Sequence, residues 1–219
     1  MIPKPPPKLI NRGVRAKILS EYSAKGRSMA RLKSEDKRNS ILSAAIEVFA
    51  ERGLAAPTAA ITAVAGVAEG TLFTYFRTKD KLVNALYGEI KLELADAMMS
   101  GFPRKTSVRH RLQHVWNRYV EWGIAHEKQH KVLRQMMVWE GLTDEAKAAG
   151  SAPFVEIDTV AQDAIAQRLV KDLPRPFVAA TMSALADTAI DFARQDPKRA
   201  GVYQVSGFEM FWAGISRRT

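Results

Sequence analysis

Apolar residues recur at helical spacing through most of the chain. In the first run, which Gly53 ends, one helix face is formed by Ile41, Leu42, Ala45, Ile46 and Phe49. No stretch shows the sustained alternation of apolar and polar residues that indicates a β-strand. The pattern therefore predicts an all-α protein.

Two short helices and a long one are predicted after this first helix. The short helices span about 57–65 and 69–76, and Gly66 between them tolerates the left-handed backbone of a tight turn. Thr78 is placed to cap a longer helix that continues to near Met99. Two short helices joined by a tight turn are typical of a helix-turn-helix, whose second helix enters the DNA major groove.

The second half of the chain is predicted to consist of further helices. Their expected spans are 107–125, 128–139, 143–149, 153–170, 177–193 and 200–216, with Gly and Pro residues between several of them.

Composition excludes several classes of protein. The chain has no cysteine, which rules out disulfides, thiolate zinc sites and cysteine nucleophiles. No apolar run approaches the roughly 18–20 residues of a membrane helix. The N-terminus lacks the apolar middle region of a secretory signal, so a cytoplasmic location is expected, without a membrane partner.

The positive charge is concentrated near the N-terminus. The net charge is +10, and residues 1–28 contribute most of it, with seven Lys and Arg against one Glu. Residues 1–33 are expected to form a flexible basic tail that adds phosphate contacts. A second interpretation, which we favour, takes Met29 as the biological start. The mass of the native N-terminus would decide between them.

Residues 33–86 resemble the TetR family of one-component transcription regulators. The matching positions are Ile46, Phe49, Gly53, Ile61, Ala65-Gly66-Val67, Gly70-Thr71-Leu72-Phe73, Tyr75-Phe76, Lys79 and Leu82. The combination is specific because this full spacing is rare by chance. The chain departs from the family at two points: the Gly53–Ile61 interval is one residue short, and Thr62 replaces the usual alanine.

The remainder of the chain is similar to the RamR-type repressors, which sense multiple drugs and bile components. The likeness runs from Ala30 to the C-terminus and includes the short Gly53–Ile61 interval; its segments are 33–37, 66–73, 191–193 and 196–201. The resemblance implies a three-helix DNA-binding domain at 34–80. A long helix would join it to a ligand-binding and dimerisation domain at 81–219.

The resemblance and the residue types together suggest seven DNA contacts: Thr58, Glu69, Thr71, Phe73, Thr74, Tyr75 and Lys79. Thr71 and Thr74 can exchange hydrogen bonds with base edges and offer methyl groups to thymine. By family likeness Tyr75 and Lys79 contact phosphates. Phe73 either faces the groove or packs on the first helix.

The role of Glu69 stays open between helix-dipole complementation, acceptance from a cytosine amino group, and solvation. Leu72 and Phe76, four residues apart, are expected to pack inward. The alternative for the whole stretch is a buried αα-hairpin, which needs neither Lys79 nor exposed threonines.

Aromatic and thioether side chains in the second half suggest a pocket for lipophilic cations or planar drugs. The candidates are Tyr87, Trp116, Trp122, Met136, Trp139 and Met182. By likeness to the RamR branch, Tyr87 and Trp116 line that pocket, whereas Met182 replaces a phenylalanine. The alternative is that all six are ordinary core. The helix that begins at Lys79 is interpreted as the only physical link between this pocket and the DNA-binding residues.

The last two helices are expected to form the dimer. The first presents small residues, namely Ala180, Ala184 and Ala186, and the second supplies Val202, Phe208, Phe211, Trp212 and Ile215. In the family such helices pair in a four-helix bundle with two-fold symmetry, so a homodimer and a palindromic operator follow.

The sequence therefore predicts a ligand-responsive transcriptional repressor, released by a lipophilic or cationic small molecule and controlling efflux-related genes. No catalytic residue, metal or cofactor is predicted. One alternative is a zinc-dependent hydrolase using His126, Glu127 and His130, which match H-E-x-x-H. Against it, the motif falls at a predicted junction between helices. The other alternative is a non-specific basic DNA-binding protein acting through the tail.

Overall fold

The computed structural model describes residues 34–217, and the predicted tail at 1–33 lies outside them. The first three helices are α1, which covers residues 34–52, α2 (Thr58–Ala65) and α3 (Glu69–Tyr75). Gly66 ends α2 with φ of 65°, the left-handed conformation that the predicted turn requires.

The rest of the described chain is also helical. The elements are α4 (Lys79–Met99), α5 (Val108–Ala125), α6 (Glu127–Met137), α7 (Asp144–Ser151), α8 (Val155–Ala166), α9 (Arg175–Gln195) and α10 (Ala200–Ile215), with 3₁₀ turns at Ala152–Phe154 and Pro197–Arg199. The all-α prediction is confirmed. Thr78, Ser107 and Thr143 accept backbone N–H bonds at the starts of α4, α5 and α7.

The helices of the C-terminal half enclose a core centred on Trp116. Its ring is fully buried and stacks on Phe211 at 6.3 Å between ring centroids. A Cβ at Gly207 would lie 2.7 Å from this indole, so the glycine permits α10 to approach α5 closely. The packing joins α5, α9 and α10 around one apolar centre, and α4 packs on α5, α6 and α7.

A strap of residues 167–174 connects α8 to α9 and is tied to the end of α10. Val170 pairs with Ser216 in an isolated antiparallel bridge, and the Lys171 amide donates to the Ile215 carbonyl at 2.8 Å. Arg168 adopts φ of 56°, which ends α8. The strap replaces the last turn of the helix that the sequence predicts up to residue 170.

Among residues 34–217, no helix is long and apolar enough to cross a membrane.

Candidate DNA-binding surface and ligand cavities

The predicted recognition helix, α3, has one buried side and one exposed side. Leu72 and Phe76 are buried, as predicted for the inward face. Phe73 is 41% exposed. Gly70 and Thr74 are exposed on the same helix. The exposed side therefore offers an aromatic ring and a hydroxyl at the surface of a helix whose other side is fixed by packing.

Polar contacts hold the two short helices together. Thr58, at the start of α2, donates to Glu69 Oε1 at the start of α3, with 3.0 Å between the oxygens. The Thr74 hydroxyl donates back to the Gly70 carbonyl at 2.9 Å, which leaves its methyl group and lone pairs free. Thr71 is half-buried. Two of the predicted DNA contacts, Thr58 and Glu69, thus already bind each other.

Tyr75 and Lys79 flank the junction of α3 and α4. The Tyr75 hydroxyl donates to Ser34 Oγ at 3.2 Å, and Lys79 Nζ lies 6.0 Å from the ring centroid of Phe49. Both side chains are half-buried, with their polar ends anchored against α1. A hydroxyl and an ammonium group are therefore held at the junction of α3 and α4.

The DNA-binding helices contact the C-terminal half through two helices, not one. Arg38 of α1 pairs with Glu89 of α4 at 2.7 Å. On α6, Lys128 forms an ion pair with Glu47 of α1, and Gln135 Nε2 donates to the Phe49 carbonyl at 3.3 Å. The prediction that α4 is the only physical link is therefore wrong. It failed because the contacts of α6 with α1 join residues more than 80 positions apart.

The six predicted pocket residues do not share one cavity. Trp116 and Trp122 are buried in the core, where their indole N–H groups donate to the Gln204 carbonyl and to Glu93. Tyr87, Met136 and Trp139 line an open groove of about 260 Å³ beside α7. Met182 lies elsewhere, in the wall of a separate apolar cavity.

This apolar cavity lies between α5, α8, α9, α10 and the strap. Its volume is about 110 Å³, and it is lined by Leu112, Ile157, Asp158, Ala161, Ala164, Ile165, Val170, Lys171, Leu173, Arg175, Val178, Ala179, Met182, Phe211 and Ile215. Apart from Asp158, Lys171 and Arg175, every lining side chain is apolar. Phe211 lines the cavity and stacks on Trp116. Trp116, one of the predicted pocket residues, is therefore not part of the cavity wall.

A polar network of partly buried side chains lies beside the apolar core. Tyr119 and His130 both contact Asp187 Oδ1, at 2.9 Å from the hydroxyl and 2.8 Å from Nε2. Burial, and then the charge of Asp187, raise the pKa of the Tyr119 hydroxyl far above its usual value. Arg134 pairs with Asp191 at 2.8 Å, and this hydrogen bond raises the pKa of the guanidinium. The network joins α5, α6 and α9.

The H-E-x-x-H segment straddles two helices. His126 lies between the two helices, as the C-cap of α5 and the N-cap of α6, with φ of −116° and ψ of 57°. Its Nε2 lies 3.4 Å from Glu93 on α4, whereas His130 faces Asp187 on α9. Within the described residues, no group of three or more His, Cys, Asp or Glu is placed to hold a metal ion.

Lys91 is a cation in an apolar place on α4. Its Nζ lies 4.1 Å from the ring centroid of Phe154, and burial lowers the pKa of the ammonium from 10.5 to about 8. No ion pair to Lys91 is found in the described part of the chain. Its charge therefore opposes folding, offset in part by the aromatic contact.

Lys91→Met is expected to raise the free energy of unfolding at pH 7 by about 1–3 kcal/mol. Between pH 8 and 10.5 the unfolded wild-type chain binds more protons at this lysine than the folded chain. The free energy of unfolding of the wild type therefore rises with pH relative to that of the variant. Urea unfolding from pH 7 to pH 10.5 measures the difference, with Lys105→Met as an exposed control. A difference that does not change with pH would contradict the assignment.

An apolar face is exposed on the last two helices. This α9–α10 face consists of Phe177, Phe192, Val202, Val205 and Met210, each more than half exposed. Met210 lines two apolar grooves, one with Phe177 and the other with Phe192. Of the residues predicted for dimerisation, Ala186, Phe208, Phe211 and Ile215 are instead buried within the chain. Phe208, Phe211 and Ile215 failed as surface predictions because α10 is apolar on both sides.

Comparison with known proteins agrees with this architecture. Residues 41–86 match the family model described as bacterial regulatory proteins, tetR family. Among solved structures, a TetR family transcription regulator from Shewanella sp. PV-4 is similar, with a TM-score of 0.77 and 21% identity; the match covers 83% of this chain and 99% of that one. A regulator of the same family from Marinobacter aquaeolei VT8 has a TM-score of 0.75 and 19% identity, covering 86% and 100%.

A third similar structure was solved with a bound small molecule. It is the TetR-like transcriptional regulator LfrR from Mycobacterium smegmatis in complex with proflavine, with a TM-score of 0.61 and 19% identity, covering 84% of this chain and 99% of that one. Residues 41–86 thus match the TetR-family DNA-binding domain, and the chain has the fold of the TetR family transcription regulators.

Proposed function

We propose that this protein is a transcriptional repressor that binds a palindromic operator as a homodimer and is released by a lipophilic or cationic small molecule. Its expected targets are efflux-related genes, in keeping with the RamR-like segments of the sequence. The observation that carries the proposal is the recognition helix, whose exposed side is held rigidly by the buried Leu72 and Phe76. The DNA-binding domain is proposed to span 34–80 and the ligand-binding and dimerisation domain 81–219.

Each predicted DNA contact has a proposed role. Thr71, Phe73 and Thr74 read base edges, the threonines by hydrogen bonds and methyl contacts and Phe73 by apolar contact with thymine methyl groups. Tyr75 and Lys79 bind phosphates and fix the register of α3 on the duplex. Thr58 and Glu69, which bind each other at 3.0 Å, position the start of α3.

The α9–α10 face supports a dimer with two-fold symmetry. Several large apolar side chains exposed on two neighbouring helices favour an interaction site. Two copies related by a two-fold axis would cover it on both chains at once. The dimer would then present two recognition helices, which must match half-sites spaced by about 34 Å or a multiple of it.

The apolar cavity is the proposed inducer site. Its lining accepts a lipophilic body, and Asp158 at its edge is a carboxylate that can pair with a cationic group. Met182 belongs to this lining, while the groove with Tyr87, Met136 and Trp139 is a second place for such a molecule. Ligand in the cavity would displace Phe211 and hence the Trp116 ring stacked on it, so indole fluorescence reports binding. An inducer acts by binding more tightly to the state that does not fit DNA.

Filling the cavity is expected to abolish release by the ligand while leaving operator binding intact. In Ala161→Phe the added ring occupies the space of the ligand, so operator affinity stays within about twofold while release by lipophilic cations is lost. Ala148→Phe, at an exposed position of α7, is the matched control and should respond like wild type. The measurement is operator binding by fluorescence anisotropy during titration with amphipathic cations and bile acids. Normal release from Ala161→Phe would place the inducer site elsewhere.

A further inference from the structure

The loop between α6 and α7, residues 138–143, is held to the start of α4 by one side chain. Asn84 of α4 is half-buried, and its Oδ1 accepts from the Thr143 amide at 2.9 Å. Its Nδ2 donates to the Gly141 carbonyl at 3.0 Å and to the Asp80 carbonyl at 2.8 Å. Both ends of one amide group therefore bind the α6–α7 loop, and one end also binds the first turn of α4.

The same loop forms part of the wall of the open groove beside α7. Trp139 and Leu142 line this groove together with Tyr87 of α4. The Trp139 ring packs closely on Gly141, since a Cβ added to this glycine would lie 2.2 Å from the ring. A displacement of the Trp139 ring therefore acts directly on Gly141, whose carbonyl is bound by Asn84.

The first turn of α4 carries one of the proposed DNA contacts. Lys79 is the first residue of the helix, and Asp80, whose carbonyl Asn84 binds, follows it directly. A continuous series of packed and hydrogen-bonded groups thus runs from the Trp139 ring through Gly141 and Asn84 to the residue beside Lys79. Coupling between separate sites is carried by contiguous contacts of this kind when they have two arrangements.

We propose that Asn84 is a positioning residue that transmits movement of the α6–α7 loop to the start of α4, so that the groove beside α7 controls operator binding. A lipophilic or planar molecule packed against Trp139 would shift the loop, and with it the Asn84 amide and the first turn of α4. Lys79 would then be misplaced relative to its phosphate. The control of operator binding rests on the proposed repressor function, whereas the coupling between the loop and α4 does not.

A double-mutant cycle in the full chain tests the coupling without any ligand. Gly141→Ala places a methyl group 2.2 Å from the Trp139 ring, so the ring or the loop must move. Hydrogen exchange of the amides of residues 81–82, which are bonded to Thr78, reports on the first turn of α4. Gly141→Ala is expected to speed this exchange about fivefold in the wild-type background and less than about twofold in the Asn84→Leu background.

Operator affinity is the functional measurement in the same cycle. Gly141→Ala should lower it about fivefold in the wild-type background and less than about twofold in Asn84→Leu. Gly201→Ala is the matched glycine control, because its added methyl group meets nothing within 4 Å. Asn117→Leu is the matched asparagine control, since this half-buried side chain of α5 makes no hydrogen bond within residues 34–217. In the Asn117→Leu background the effect of Gly141→Ala should remain complete.

Equal effects of Gly141→Ala in the wild-type and Asn84→Leu backgrounds would overturn the proposal, because a merely structural Asn84 lowers Tm without changing the effect of a second substitution. Unchanged exchange of residues 81–82 in Gly141→Ala would overturn it as well. Trp139→Ala, which removes the ring from the loop, replaces Gly141→Ala if that variant does not fold.

Asn84→Asp replaces Asn84→Leu in the same case, since it keeps the acceptor for the Thr143 amide but loses both donors. A chain that binds no operator refutes the proposed function, while hydrogen exchange still decides whether the loop is coupled to α4.

Discussion

Met210→Asp is expected to give a monomer and to lower operator affinity by about two orders of magnitude or more. Met210 is 64% exposed and lines both apolar grooves of the α9–α10 face, so it would lie near the centre of the dimer. A carboxylate there would be buried without a partner in both chains. A monomer holds only one recognition helix and loses the effective concentration that a dimer gives its second half-site.

Val155→Asp is the matched control. Val155 is 67% exposed on α8, away from the α9–α10 face, and an acid in the first turn of a helix is tolerated. This variant should sediment as wild type and bind the operator normally. Sedimentation velocity at micromolar concentration measures the oligomeric state. If Met210→Asp remained a dimer, the α9–α10 face would not be the interface.

Lys79→Gln is expected to lower operator affinity by about 10- to 100-fold in the dimer, because one phosphate contact is lost in each chain. The slope of log affinity against log salt should become shallower by about 2. Lys79 is half-buried and its ammonium lies near the Phe49 ring, so the charge is held in place. The loss should be similar on operator variants with altered bases, since a phosphate contact carries no sequence information.

Lys105→Gln controls for the loss of one positive charge, because Lys105 is exposed in the loop between α4 and α5. Phe73→Ala provides the contrast, since loss of a base contact should reduce discrimination among operator variants more than it reduces the salt slope. Equal effects of Lys79→Gln and Lys105→Gln would show that only net charge matters.

The helix-turn-helix was predictable because its signals are local. Gly66 ends α2 at φ of 65°, and Thr78 accepts from the Lys81 amide at the start of α4, as the sequence predicts. The end of α8 was not predictable. The helix stops at Ala166 because the strap is bound to the end of α10, a contact between residues about 46 positions apart that no local pattern contains.

The surfaces were harder to predict than the helices. Helical periodicity identifies apolar positions, but α10 has them on both sides, and the choice of Phe208 for the core and Met210 for the surface depends on α5 and α9. The contacts of Lys128 and Gln135 with α1 were missed for the same reason. Trp116 and Met182 were both predicted to line a pocket because both are large and apolar. Only the packing of the helices places Trp116 in the core and Met182 in a cavity wall.

Hydroxyl-radical footprinting on DNA selected from a random library tests the central claim most directly. The account predicts two protected segments related by two-fold symmetry, with centres about 34 Å apart or a multiple of it, and loss of protection when a lipophilic cation is added. The same symmetric footprint should persist after deletion of residues 1–28, with only some salt-sensitive affinity lost. Uniform protection that disappears with that deletion would contradict a specific repressor and identify non-specific binding through the basic tail.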